Sequence, residues 1–166
     1  MAHFSGTYVQ NFDVKGRVSV PANFRAALRE GSAAARERAA AGTGSFGIPL
    51  VLRPSEKAPC VEGWTEDRFN ALSAQLDALD PLGAEYDEIA TVIYGDAWPL
   101  ETDREGRIII PDALLGAAGI SRAGGAGFLG LGTRFQIWEP SALPARKAAA
   151  HAAHRARIAK RSDAAP

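Results

Sequence analysis

A single cysteine, Cys60, is all the thiol the chain has, so no internal disulfide can staple it. A lone thiol is a liability in an oxidising compartment. No continuous apolar stretch approaches the length needed to cross a bilayer, and Met1-Ala-His-Phe-Ser has neither the basic nor the apolar region of a secretory leader. These absences lead us to expect a soluble, cytoplasmic protein with no membrane partner. Net charge is missing as well, 19 Lys and Arg balancing 19 Asp and Glu, but the zero hides a strong segregation. Residues 1–53 hold seven basic and three acidic residues, 54–103 hold two and twelve, 104–140 hold four and three, and 141–166 hold six and one. A vanishing total therefore does not exclude nucleic acid as a partner, although the acidic centre argues against indiscriminate coating of it.

What the chain does have is one phrase stated twice. Asp13-Val-Lys-Gly16-Arg17-Val-Ser-Val-Pro21 returns 90 residues later as Asp103-Arg-Glu-Gly106-Arg107-Ile-Ile-Ile-Pro111, which makes a tandem repeat the first reading. Asp13 and Asp103 suit a turn by bonding nearby backbone, and Gly16 and Gly106 suit it by tolerating positive φ. A short strand such as Thr7–Gln10 leads in and a β-branched run leads out, so each copy predicts a hairpin-like element. Pro21 and Pro111 then open helices over 22–28 and 112–118. Two outward arginines, spaced to match successive grooves, suit a partner with regularly repeated negative charge such as duplex nucleic acid.

The repeats set the organisation: repeat 1 over 6–64, with an Ala/Arg/Gly insertion at about 31–47 that reads as a mobile loop or short helix; a helical connector over 65–94; repeat 2 over 95–140; and a basic helical tail over 141–166. Within the connector, Thr65 caps a helix from Glu66 to Leu79 whose Phe69, Leu72, Leu76 and Leu79 share a face, and a second helix runs from Glu85 to Tyr94. With 166 residues and 46% apolar composition, a real core is available. The fold class expected is α+β.

Together, Phe4-x-Gly6, the twin Asp-x-x-Gly-Arg-[Val/Ile]-x-[Val/Ile]-Pro phrases, Phe24-Arg25 after the first Pro, and Trp138 resemble the MraZ family of bacterial transcriptional regulators over roughly residues 4–140. The halves each look like the AbrB/SpoVT swapped-hairpin DNA-binding domain. That resemblance implies a pseudo-twofold, barrel-like β core and a nucleoid-associated repressor. It also implies binding to short direct repeats in promoter DNA, those of the division and cell-wall gene cluster and of its own gene, by a ring-shaped homo-oligomer. It assigns Arg17 and Arg107 as principal DNA contacts and Asp13 and Asp103 as motif acids. Lys15 matches the basic residue of the first turn, whereas the second turn carries Arg104 and then Glu105. Lys15, Arg104 and Arg25 would neutralise phosphates while an Arg in the major groove grips guanine.

Other readings compete. Arg17 and Arg107 also stand four residues after an Asp and suit a local ion pair. Two equivalent Asp residues in a pseudo-symmetric β fold suggest a proton-sharing dyad, yet the basic residues beside each favour full ionisation, so no catalytic residues are expected. The glycine patterns at 42–47 and 125–130 lack the strand-to-helix context of a dinucleotide loop and read as loops. His151 and His154 share a helix face without a third ligand, so no metal is expected, nor any small-molecule cofactor. Trp64, Trp98 and Trp138 read as core or interface aromatics, and Cys60 as a small buried hydrophobe. The alternative to DNA is a protein-interaction module in which the same loops grip an acidic partner surface.

Overall fold

The computed structural model describes residues 2–43 and 47–165. Among the described residues, eight strands form two antiparallel sheets. The larger has six strands: β1 (Thr7–Gln10), β3 (Pro49–Pro54), β4 (Val61–Trp64), β5 (Trp98–Glu101), β7 (Ala126–Gly130) and β8 (Phe135–Trp138). They lie in the order β1-β7-β8-β4-β3-β5. The smaller pairs β2 (Arg17–Ser19) with β6 (Arg107–Ile109). If each strand is exchanged for its repeat equivalent (β1 for β5, β3 for β7, β4 for β8), the six-stranded order reads the same from its other end. The registers agree. Val18↔Ile108 lies at the centre of the small sheet, flanked by Arg17↔Ile109 and Ser19↔Arg107, and Glu62↔Gln136 at the centre of the large one, flanked by Gly63↔Phe135 and Val61↔Ile137. A pseudo-twofold axis therefore passes through both sheets.

Two expectations change. The strands leading into and out of each turn do not pair along their length: β1 pairs with β7 and β5 with β3, each in the other half. Only the tip is a local hairpin, closed by the Phe12↔Val18 bridge and the bond from the Asp13 N–H to the Arg17 carbonyl (2.8 Å). Strands of three or four residues carry too little pattern to choose a partner, and the buried faces of the opposite half choose it. The core is also not a closed barrel. The six-stranded sheet stays open, with β1 and β5 as its edges.

The repeated helices form as expected, one residue after each Pro. Pro21 and Pro111 cap α1 (Ala22–Glu30) and α5 (Asp112–Ala118), which bury Phe24, Ala27 and Leu28, and Leu114, Leu115 and Ala118. The first half is longer between its helix and its sheet. β2 and β6 are related by a shift of 90 residues but β3 and β7 by 76 (Leu52 to Phe128), a difference of 14 residues. Much of that difference is a helix, α2 (Ala33–Ala40). Its Ser32 cap accepts from the Ala35 N–H (3.2 Å) and donates to Glu66 (2.6 Å). The glycine pattern at 42–47 extends beyond the described residues, whereas that at 125–130 runs into β7 instead of forming a loop.

The connector begins as expected, with Thr65 Oγ1 accepting from the Arg68 N–H (3.2 Å). The helix there is shorter: α3 (Glu66–Ala71) tightens into a 3₁₀ turn over Leu72–Leu76, and α4 (Ala84–Ala90) widens into a π turn over Thr91–Gly95. Phe69 and Ile93 nonetheless meet Val51 on the outer face of the sheet. The tail is α6 (Leu143–Asp163), in which only Leu143 is buried. No helix among the described residues is long and apolar enough to cross a membrane.

The main core lies between the large sheet, the small sheet and helices α1 and α5. Phe24, wholly buried, is its centre, in ring contact with Phe4, Tyr8, Phe128 and Phe135 at centroid separations of 5.2–6.1 Å. Cys60 sits with Trp138 and Leu143 in a small cluster on the outer face, and burial pushes its thiol up to about 11. Trp64 is half-buried beside the Phe69–Ile93 cluster, and Trp98 is exposed on an edge strand.

Candidate nucleic-acid interface

Each turn is built around one carboxylate. In the first, Asp13 Oδ1 accepts from the backbone N–H groups of Lys15 (3.0 Å) and Arg17 (2.8 Å), and Oδ2 accepts from Arg17 Nε (2.7 Å). In the second, Asp103 Oδ1 accepts from Glu105 (2.9 Å) and Arg107 (2.9 Å), and Oδ2 from Arg107 Nε (2.8 Å). Gly16 and Gly106 complete the turns at φ of +77° and +81°, where a side chain would be strained. The backbone N–H of the following Arg is the main reason that both carboxyls sit below the ordinary carboxylate range. Both acids are thus held ionised, the opposite of what a proton-sharing dyad needs.

Strand alternation decides where the arginines go. Val18 and Ile108 are buried, so Arg17, Ser19, Arg107 and Ile109 all emerge on the opposite, outward face of the small sheet. The arginines are neither entombed nor on opposite sides. Each side chain is about a quarter exposed, 27% for Arg17 and 26% for Arg107. They are close neighbours, since Arg107 Nη1 lies 3.9 Å from the Asp13 oxygen that Arg17 Nε bonds at 2.7 Å. Spacing across successive grooves, about 34 Å apart on a duplex, therefore cannot come from one chain; within a chain the two arginines form one patch.

The remaining basic residues divide. Lys15 and Arg104 are exposed on the turns, and Val14 at the first tip is fully exposed. Arg25 is half-buried and turned to backbone, with Nη1 donating to the Val20 carbonyl (2.7 Å) and its side chain lying across Gly106, whose added Cβ would meet Arg25 Cδ at 2.5 Å. Arg122 covers Gly16 in the same way from the other half and pairs with Asp112 (2.6 Å). Each turn is thus roofed by an arginine from the opposite repeat. Arg122 was not legible as part of the site, because it lies outside the repeated phrase and only the exchange of strands brings it there. His151 and His154 lie exposed on α6.

A family model described as "MraZ protein, putative antitoxin-like" matches residues 3–36, which include the first turn. A protein of Gluconacetobacter diazotrophicus is 46% identical over 90% of this chain and 87% of its own length, and one of Gluconobacter oxydans is 44% identical over 90% and 84%. A third, from Rhodospirillum rubrum, is 39% identical over 89% and 86%. The chain belongs to the MraZ family. All three relatives bear the name transcriptional regulator MraZ.

Proposed function

We propose that this MraZ-family chain is a sequence-specific, non-enzymatic DNA-binding regulator of transcription, with its repeats at 6–64 and 95–140 forming a single reading face. The observation that carries the reading is the convergence of Arg17 and Arg107 on the outward face of the β2–β6 ribbon, with Lys15 and Arg104 on the turns beside them. A paired guanidinium patch on a narrow two-stranded ribbon suits the major groove, where Arg grips guanine O6 and N7 and flanking cations neutralise phosphates. Arg25 contributes by holding the second turn in place.

One patch per chain gives weak binding. Several patches on a ring-shaped homo-oligomer meeting direct repeats would raise affinity through effective concentration. The reading extends to repression, at the nucleoid, of a division and cell-wall gene cluster that includes the chain's own promoter. The test is a gel-shift series on the DNA upstream of its own gene, with direct repeats removed one at a time. Affinity is expected to fall stepwise as repeats are lost, and to weaken steeply with salt as counterions are released. Equal binding to repeat-free DNA would contradict sequence specificity. Retention of an acidic protein partner with no DNA binding at low salt would favour the interaction-module reading.

A further inference from the structure

The pseudo-twofold is broken in charge at the turns of the reading face. Where the first turn has Lys15, the second has Glu105, and its Oε2 lies 2.7 Å from Arg107 Nη2. Arg107 therefore faces three carboxylates: Asp103 at 2.8 Å, Glu105 at 2.7 Å and Asp13 at 3.9 Å. Among the described residues Arg17 pairs only with Asp13, through Nε, and its η nitrogens make no hydrogen bond. Those η nitrogens supply the far side of the guanidinium fork that a bidentate contact to guanine requires.

We propose that the two turns of one chain divide the work: Arg17 reads the base edge, while Glu105 restrains Arg107, which instead positions Asp13 and through it Arg17. Glu105 is then a brake on the second turn. Being 69% exposed on its side chain, it sets a modest restraint that a single substitution can lift. This inference rests on the DNA-binding reading above and refines it.

The test measures affinity for the upstream repeat duplex by fluorescence anisotropy, with the wild type, Arg17→Ala, Arg107→Ala, Glu105→Gln and the Glu105→Gln/Arg107→Ala double variant, each checked for an unchanged melting temperature. Glu105→Gln is expected to tighten binding about three- to tenfold, because an anionic restraint on an Arg is removed beside the phosphates. Most of that gain should vanish in the double variant, since it works through Arg107. A gain that persists in full without Arg107 would mean that Glu105 merely repels phosphate, and would overturn the restraint.

A second duplex, with 7-deazaguanine in place of the repeat guanines, lacks the N7 acceptor. The wild type and Arg107→Ala should both lose affinity on it, by roughly tenfold, while Arg17→Ala should be indifferent. An equal partial loss in the two arginine variants would show that both turns read bases and overturn the division. Should the wild type itself fail to bind the unmodified duplex at low salt, the DNA-binding reading falls and takes the division with it. The wild-type measurement thus separates the two failures.

Discussion

Arg17→Ala should lower affinity for the upstream repeat duplex by on the order of a hundredfold, since each bidentate Arg–guanine contact discriminates by about 1–3 kcal/mol and every copy in an oligomer loses one. The fold should not notice. Truncation removes the Nε bond to Asp13 but leaves Asp13 Oδ1 with its two backbone partners, the N–H groups of Lys15 and Arg17, so the turn keeps its shape. A part-exposed ion pair between residues four apart adds little to stability, and the melting temperature should stay within about 2 °C. Arg17→Lys sharpens the test. It restores the charge without the planar fork, so it should recover salt-dependent binding but little preference for the repeats. Unfolding of Arg17→Ala would instead make the Asp13–Arg17 pair a structural device.

The second large effect lies in the core. Phe24→Ala removes the ring that touches Phe4 and Tyr8 from the N-terminal segment and Phe128 and Phe135 from the other repeat. Truncating a fully buried Phe costs about 3–5 kcal/mol, a large share of the roughly 5–15 kcal/mol that holds a domain folded. The melting temperature should fall by about 6–20 °C. Because the exchanged strands make one core from two repeats, the loss should appear as a single cooperative transition, followed by calorimetry. Two separate transitions, or a shift below about 3 °C, would mean that the halves stand independently.

Much of this was legible in the sequence, for identifiable reasons. The doubled phrase located both turns, because Asp bonding backbone and Gly at positive φ are local requirements that any Asp-x-x-Gly turn of this kind meets. Pro21 and Pro111 marked two helix starts within a residue, and Thr65 marked a third. Strand partners were not legible. Thr7–Gln10 carries no pattern that distinguishes its own Arg17–Ser19 from the distant Ala126–Gly130, and pairing at such a separation is settled by the shared core. The same exchange places Arg25 over Gly106 and Arg122 over Gly16, contacts between repeats that no spacing within one repeat reveals. The acidic Glu105 was visible as a departure from Lys15, but its grip on Arg107 needed the geometry. Closure of a barrel depends on whether β1 meets β5, which strand propensities do not decide.

The claim on which the account rests is that the outward face of the β2–β6 ribbon, with its two turns, is where DNA sits. Amide hydrogen exchange, followed by mass spectrometry with and without the upstream repeat duplex, tests it directly. Added protection is expected to concentrate in residues 12–19 and 102–109, with the outer sheet face around Val51, Trp64 and Trp138 unchanged. DNA-bound protein that shows no protection in either turn, or protection confined to the outer face or the basic tail, would contradict it.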